Sequence, residues 1–424
     1  MNFLASAVWT TLTRPAFIIA YIVIVVVLIA AVVVSVMLNE LRLNAAAKRL
    51  KDTADELQNA EDGEQESLPR FSVLTAIDAE PVNAQNFCED VTLKGFCEEF
   101  RTFAASKLGL YYDISVIREF VAGLAVSRIM ILQGMSGTGK TSLAFAFGEF
   151  LDNSSTVIPV QPMWKERTDL LGYYNEFTKH FNETLLLEKM YEANRREDIY
   201  ITVLDELNIA RVEYYFAEFL SMLEIPDPDL RYLEVVSDRW KNDPVGLKNG
   251  RIKLPENMWF VGTANNDDST FAISDKVYDR AMLLNLDRKT EPFPHSAGKK
   301  MPITAKKFME LATQAQKTYA PSKEYLAKLA TLDEYLIQKF QITFGNRIMR
   351  QIQSYLPVYV SCGGKEIDAL DDIVCKKLLR KLETQSNHYL KSEAEALCGY
   401  LDELFGKDAM TQCKAYVRRI AKNL

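Results

Sequence analysis

The sequence predicts an α/β protein: a parallel sheet between helices, a helical C-terminal part, and one long apolar helix before both. Three observations predict this class. RIMILQGMSGTGKTSLAFA reads as a strand, a glycine-rich turn and a helix. Two more apolar runs, IYITVLDE and WFVGTANN, end in polar residues, as buried parallel strands do at their carboxyl edge. The C-terminal part is helical by pattern, as in LDDIVCKKLLRKLE.

Length and composition set limits on the function. A chain of 424 residues, 48% of them hydrophobic, has room for one large domain or two ordinary ones plus appendages. The net charge of −7 and the lack of a long basic run disfavour a broad nucleic-acid surface, although a local channel stays open. Six scattered cysteines without a CxxC pair, and only three histidines, disfavour zinc and suit a reducing cytosol.

The N-terminal apolar segment Phe17–Leu38 is long enough to cross a bilayer and lies in 25 uncharged residues. The alternatives are a buried core helix and a cleaved signal peptide. We predict an uncleaved membrane anchor. Arg14 precedes it, whereas four basic residues follow it closely, so the C-terminal bulk is expected on the cytoplasmic side of a bacterial inner membrane.

Residues 41–85 are predicted to connect this anchor to the sheet. Leu43, Leu50 and Leu57 recur at seven-residue spacing, which suits either a short coiled coil or a solvated helical stalk. Ala60–Pro69 is acidic and contains Gly and Pro, as a flexible linker does.

The glycine-rich turn matches the phosphate-binding pattern G-x-x-x-x-G-K-[ST]. Backbone N–H groups of such a loop, and the positive N-terminus of the following helix, bind phosphates. We expect Lys140 to contact the β- and γ-phosphates and the Thr141 hydroxyl to ligate Mg²⁺. The predicted nucleotide-binding residues of this stretch are Gly134, Met135, Ser136, Gly137, Thr138, Gly139, Lys140, Thr141 and Ser142.

The other two strand ends supply polar groups. We expect Asp205 to hold Mg²⁺ and Glu206 to act as the general base, although an apolar strand ending in acids is also a common structural feature. Asn265 is expected to position the attacking water, with Asn266 one residue behind. Arg280 ends the segment FAISDKVYDRA, where it is either an arginine finger acting on a neighbouring subunit or part of a surface Asp–Arg pair.

These stretches together resemble an AAA+ ATPase of the McrB-like group, which is related to MoxR proteins. The resemblance rests on LQGMSGTGKTSLA, PVQPMWKERTDLLGYYNEFTKHFNETLL, VLDELNIARVEYYFAEFLSMLE and PENMWFVGTANNDDSTFAISDKVYDRA, and it runs from Gly109 to Ala421. It implies an αβα nucleotide-binding domain, a helical lid and a ring, usually a hexamer. The implied divisions are an anchor (1–40), stalk and linker (41–85), nucleotide domain (86–295) and lid (296–424).

The resemblance also implies residue roles. Asp205 and Glu206 correspond to Walker B, Asn265 to sensor 1 and Arg280 to the finger. In the lid, ITFGNRIMRQIQSYLP resembles the sensor 2 helix, so Arg347 is expected to close onto the γ-phosphate. Arg350 is the second choice, since it lies almost on the same helical face.

Two departures and two insertions affect what the resemblance implies. Ile209 stands where the group commonly has arginine, and NNDDS replaces a shorter run. The identity of the nucleotide is therefore left open, with ATP favoured over GTP. The insertions Gln161–Thr178 and Glu224–Pro255 are expected on the pore side of the ring. Their aromatic and basic side chains, such as those of Trp164 and Trp240, are expected against a neighbouring subunit or a threaded polymer.

Three functions remain as hypotheses. The first is a motor that works with a separate nuclease-like or McrC-like effector in defence against phage or plasmids; no nuclease motif is evident in the chain itself. The second is a MoxR-type remodelling chaperone tethered to the membrane. The third is a nucleotide-gated switch or scaffold, which would not need Glu206, Asn265 and Arg280 together.

Overall fold

The structure is a computed structural model that describes residues 37, 69–82, 85–265, 270–384 and 387–423. The chain divides into two units after Leu68, and the second, Pro69–Leu424, is compact. The predicted anchor and stalk lie outside the described residues apart from Met37, and so does Asn266. Among the helices that are described, none combines the length and apolar character needed to cross a bilayer.

The second unit is built around a parallel sheet. Its strands are β1 (Ile129–Gln133), β2 (Thr156–Pro159), β3 (Gly172–Asn175), β4 (His180–Glu183), β5 (Tyr200–Asp205), β6 (Tyr232–Glu234), β7 (Arg251–Lys253), β8 (Met258–Ala264) and β9 (Met282–Asn285). Five of them pair in the order β2-β5-β8-β1-β9, and every neighbouring pair is parallel. The α/β class predicted from the sequence is therefore confirmed.

The register of the sheet brings the functional strand ends together. Gln133 at the end of β1 pairs with Ala264 at the end of β8. Leu204, next to the end of β5, pairs with Gly262 in β8. The carboxyl ends of β1, β5 and β8 therefore share one edge of the sheet, where crevices for ligands form in α/β proteins.

Helices cover both faces of the sheet and also form the C-terminal part of the unit. They are α1 (Val73–Ala79), α2 (Leu93–Leu108), α3 (Ile114–Val126), α4 (Lys140–Phe150), α5 (Thr168–Leu171), α6 (Leu185–Ala193), α7 (Val212–Tyr215), α8 (Ala217–Met222), α9 (Asp275–Tyr278), α10 (Ala305–Thr318), α11 (Lys323–Phe340), α12 (Asn346–Ser361), α13 (Glu366–Lys377), α14 (Asn387–Phe405) and α15 (Thr411–Asn423). Alternate residues of β1 enter different cores: Met130 faces the core of α2, α3 and α4, and Ile131 faces that of α6, α7 and α8. Burial on both faces explains why the strands are continuous apolar runs.

Local signals set the helix ends. The Thr92 hydroxyl accepts a hydrogen bond from the N–H of Gly95 at 3.2 Å and starts α2, and the Thr184 hydroxyl starts α6 in the same way. Gly109 ends α2 with φ of +65°, a conformation in which a side chain would be strained. The end of α2 sets the position of residues 109–113, which line one side of the cavity at the glycine-rich loop.

The helices α10 to α15 make up the predicted lid, and α12 packs on α3. A buried ion network joins the two parts: the Lys376 ammonium of α13 lies 2.8 Å from the Glu119 carboxylate of α3 and also pairs with Asp372. The Tyr355 hydroxyl of α12 donates to Asp372 at 2.7 Å. Burial is the main cause that raises the pKa of Glu119 to about 7, against the effect of the nearby lysine.

Antiparallel hairpins lie at both predicted insertions. The second insertion contains β6–β7, and the first contains β3, whose partner β4 lies just beyond its predicted end. The segment before α1 contacts both hairpins. Arg70, whose side chain is 2% exposed, pairs with Asp243 at 2.8 Å and Asp238 at 2.9 Å beside β6–β7. The Glu183 carboxylate at the end of β4 accepts the N–H groups of residues 72, 73 and 74. Residues 69–79 thus belong to the second unit and contact both hairpins.

The insertion tryptophans pack within their own chain. The Trp240 ring lies 4.4 Å from the Arg70 guanidinium and edge-on to Tyr174 at 5.7 Å. Trp164 lies edge-on to Tyr215 at 5.6 Å. By contrast, Phe177 at the tip of β3–β4 is 98% exposed.

Candidate functional site

The glycine-rich loop joins β1 to α4 as the sequence predicts. Three of its glycines have positive φ: Gly134 at 150°, Gly137 at 76° and Gly139 at 90°. A Cβ atom on Gly134 would lie 2.3 Å from the backbone oxygen of Leu286, so no other residue fits there. The loop therefore wraps tightly over the N-terminus of α4, where unpaired N–H groups and the helix dipole favour an anion.

Lys140 is the first residue of α4 and its side chain is only 7% exposed. Its ammonium donates hydrogen bonds to the backbone oxygens of Gly134 at 3.0 Å and Met135 at 2.8 Å. The charge thus lies inside the curve of the loop. Tyr112 supports the loop from outside, since its hydroxyl donates to the Gly139 oxygen at 3.1 Å.

Thr141 and Asp205 meet at the edge of the sheet, 64 residues apart in the chain. The Thr141 hydroxyl donates to Asp205 Oδ1 at 2.8 Å. A hydroxyl and a carboxylate are the hard oxygen ligands that Mg²⁺ prefers, usually with water and phosphate oxygens completing its shell. The two side chains therefore fit the predicted magnesium site.

Thr263 of β8 is a functional residue that the sequence reasoning missed. Its hydroxyl donates to Asp205 Oδ1 at 2.7 Å and accepts the backbone N–H of Glu206 at 2.9 Å. One buried side chain thus orients both acidic residues. The available signal was that Thr263 is polar within the apolar run WFVGTA, two residues before Asn265.

Glu206 adopts a left-handed conformation with φ of 53°, and its side chain is exposed. This conformation is uncommon for a residue with a side chain and costs free energy, so it is held by surrounding contacts. The hydrogen bond from Thr263 is one such contact. The strained turn directs the chain away from β5 immediately after Asp205.

Asn265 lies just beyond the end of β8, next to this turn. Its side-chain oxygen is buried and has no hydrogen-bond partner among the described residues. The buried amide of Asn208 donates to the backbone oxygens of Asn265 at 3.0 Å and Phe271 at 3.2 Å, which holds the start and end of the intervening loop. Asn208 gives the DELN stretch a structural role that the sequence analysis did not assign.

The structure brings Arg280 and Arg347 together. Both guanidinium groups contact the Glu224 carboxylate: Arg280 Nε lies 2.8 Å and Arg347 Nη2 lies 2.5 Å from Oε1. With Arg350 they line a cavity of about 660 Å³ beside β1 and α8. The predicted finger and the predicted sensor 2 residue thus share one surface of the chain.

A different cavity, of about 730 Å³, is lined by Gly137, Thr138 and Gly139 of the glycine-rich loop. The lid contributes Lys376, Tyr416 and Arg419 to its lining, and the segment after α2 contributes Tyr111 and Asp113. Neither Arg347 nor Arg350 lines it. In this arrangement Arg347 lies at the surface that carries Arg280, and its predicted contact with the γ-phosphate stays a prediction.

Comparison with known proteins assigns a family model to part of the chain. Residues 293–424, which are 132 of the 424, match a family described as Domain of unknown function (DUF8727). None of the curated proteins matches the chain.

Two solved structures are similar in outline. A "putative ATPase" from Cytophaga hutchinsonii is 13% identical, with a TM-score of 0.46, over 82% of this chain and 97% of that one. A full-length MCM homologue from Methanopyrus kandleri is 12% identical, with a TM-score of 0.36, over 68% of this chain and 61% of that one. Neither value supports a transfer of activity. By its own sheet and loop geometry, the chain has an α/β fold with a P-loop, and its C-terminal part matches a family with no described function.

Proposed function

We propose that the chain is a nucleoside triphosphate hydrolase of the AAA+ class and the McrB-like group, with ATP favoured over GTP. The observation that carries the proposal is the hydrogen-bonded set Thr141–Asp205–Thr263, which also holds the backbone of Glu206. It joins the phosphate-binding loop to the carboxylate proposed to hold the metal, Asp205, and to the exposed carboxylate of Glu206. Phosphoryl transfer needs little more than this positioning and charge stabilisation.

Each residue has a distinct role in the proposed reaction. The loop N–H groups and Lys140 bind and orient the phosphates, and the exposed Glu206 carboxylate accepts a proton from the attacking water. Asn265, whose side-chain oxygen has no hydrogen-bond partner within the described part of the chain, orients that water. Mg²⁺ held by Thr141 and Asp205 would neutralise charge on the phosphate oxygens.

Two variants test hydrolysis at this site. Lys140→Ala should abolish nucleotide binding, whereas Glu206→Gln should retain binding and lose turnover, because only the base is removed. Binding is measured with a fluorescent nucleotide and turnover by phosphate release. Unimpaired turnover in the Glu206→Gln protein would refute the assignment.

We further propose that the active species is a ring, usually hexameric in this group, in which Arg280 acts on the nucleotide of the next subunit. The position of Arg280 supports this, because the residue lies apart from the chain's own loop cavity, at a cavity that four more arginines line. Fingers of this kind contribute roughly 10³–10⁵ in rate. Mixing Arg280→Ala with Glu206→Gln chains should restore partial activity, since some interfaces then combine an intact base with an intact finger.

In cells, we propose that Phe17–Leu38 holds this ring on the cytoplasmic face of the bacterial inner membrane. There it would act as a motor for a separate nuclease-like or McrC-like effector in defence against phage or plasmids. The β3–β4 hairpin exposes two aromatic side chains, Phe177 (98%) and Tyr173 (54%), and aromatic residues are enriched in interfaces, which supports a contact with another molecule. A MoxR-type remodelling chaperone or a nucleotide-gated switch is the alternative, and co-purification with a nuclease-like partner separates the motor from both.

A further inference from the structure

The end of α13 contacts two different parts of the nucleotide domain through neighbouring residues. Lys376 lines the cavity of the glycine-rich loop and pairs with Glu119 at 2.8 Å. Lys377 points elsewhere, because successive residues of a helix are rotated by about 100°. Its side-chain amino group donates to the backbone oxygens of Tyr278, at 2.8 Å, and Ala281.

These two oxygens lie on either side of Arg280 in the chain. Tyr278 ends α9 and Ala281 precedes β9, so Lys377 holds the turn that carries the arginine. Lys377 is 4% exposed, and both of its acceptors are uncharged backbone groups. Burying a lysine is costly unless its hydrogen bonds are made, which makes this contact specific in geometry.

Further lid residues hold the same turn. The Arg380 guanidinium pairs with Asp275 at the start of α9 and lies 3.8 Å from the centre of the Tyr278 ring. Gln351 of α12 donates to the backbone oxygen of Asp279 at 3.2 Å. The turn that carries Arg280 thus contacts the lid at both of its ends and in its middle.

The end of α13 also contacts the cavity at the glycine-rich loop. The Lys376–Glu119 pair is buried, and breaking one partner of such a pair is strongly destabilising. The Tyr278 hydroxyl also donates to Gln133, the last residue before the glycine-rich loop, at 3.3 Å. A shift of α13 relative to the loop cavity therefore moves the Arg280 turn with it, since packed helices move as rigid bodies.

We propose that Lys377 is a positioning residue for Arg280, through which the lid couples the chain's own nucleotide cavity to the finger it offers the next subunit. This rests on the proposed function of Arg280 acting in trans. Lys377 touches no nucleotide itself. It sets where the guanidinium stands, and a misplacement of about 1 Å at such a group costs about 10²-fold in rate.

The test compares two lid lysines in the full-length protein. Lys377→Met removes the amino group and keeps most of the side-chain volume. Lys414→Met is the matched control, because Lys414 is also a buried lid lysine, but it bonds within the lid, to Asp402 at 2.5 Å and to the Lys407 oxygen at 2.7 Å. Each variant is measured for nucleotide affinity, kcat, and recovery of activity on mixing with other variants.

We expect Lys377→Met to lower kcat about 100-fold, with nucleotide affinity changed by less than about threefold. Mixed with Glu206→Gln chains it should recover activity, and mixed with Arg280→Ala chains it should not, because both then lack a working finger. Lys414→Met should keep its kcat. A purely structural defect would lower affinity and would not sort by partner in this way.

Three outcomes would overturn the inference: unchanged kcat in Lys377→Met, recovery with Arg280→Ala chains, or an equal loss in Lys414→Met. Failure of the underlying function looks different. If Arg280→Ala alone keeps full turnover while Lys140→Ala abolishes it, the chain is a hydrolase in which Arg280 does not act in trans. The proposed role of Lys377 is then wrong as well. If Lys140→Ala retains turnover, the nucleotide site itself is wrong.

Discussion

Replacing Thr263 by valine tests whether one buried hydroxyl organises the acidic residues of the site. Valine has nearly the same shape, so the change removes two hydrogen bonds, to Asp205 and from the N–H of Glu206, and little packing. Thr263 is 3% exposed, so water does not readily replace the lost hydroxyl. A hydrogen bond to a charged group is worth about 1.5–3 kcal/mol, and a buried group left unpaired costs about 1–3 kcal/mol.

From these values we expect Thr263→Val to lower the free energy of unfolding by about 2–4 kcal/mol in urea titrations. We also expect kcat and the affinity for Mg²⁺ to fall roughly 10- to 100-fold, as happens when residues that orient metal ligands are changed. Thr263→Ser keeps the hydroxyl and should recover most of both losses.

Thr202 in β5 provides the matched control. It is as buried as Thr263, yet its hydroxyl has no hydrogen-bond partner among the described residues. Thr202→Val should therefore leave stability unchanged or raise it by up to about 1 kcal/mol, with normal turnover. The reasoning is refuted if the two valine variants have equal stability and Thr263→Val keeps kcat within about twofold.

Three further results are expected. Arg70→Met should lower the free energy of unfolding by about 3–5 kcal/mol in urea titrations, because it leaves Asp243, whose side chain is 4% exposed, as an unpaired buried charge. Burial lowers the pKa of Lys377 from its ordinary 10.5 to about 7, so the folded chain releases a proton that the unfolded chain keeps. Stability should therefore rise with pH above 7 by up to about 1.4 kcal/mol per pH unit relative to Lys377→Met, as urea titrations at pH 7, 8 and 9 would measure. Arginines at Val26 and Leu28 should add roughly 5–7 kcal/mol to insertion and move the protein to the soluble fraction with its nucleotide hydrolysis intact.

Each of these expectations has a contradicting result. An Arg70→Met protein as stable as the parent would mean that Asp243 is solvated or neutral. Parallel stability curves for the parent and Lys377→Met between pH 7 and pH 9 would mean that Lys377 keeps its ordinary pKa. A soluble parent protein, or digestion of the nucleotide domain by protease added outside spheroplasts, would contradict the membrane anchor.

The sequence by itself determined the glycine-rich loop, the strands that flank it and the position of Asp205. These features depend on neighbours in the chain: the φ angles that only glycine adopts readily, the N-terminus of a helix, and apolar runs closed by polar residues. Gly134 and Lys140 are recognisable for this reason. The α/β class followed because strands buried on both faces must be apolar throughout.

The tertiary structure alone decided which distant residues share a contact. Thr263 reads in the sequence as one polar residue within a strand, and only the parallel register places it beside Asp205 and Glu206. Glu224 looks like an ordinary surface acid until packing sets it between Arg280 and Arg347. Such contacts depend on how helices and strands pack against one another. A local sequence pattern therefore does not reveal which distant residue will be the partner.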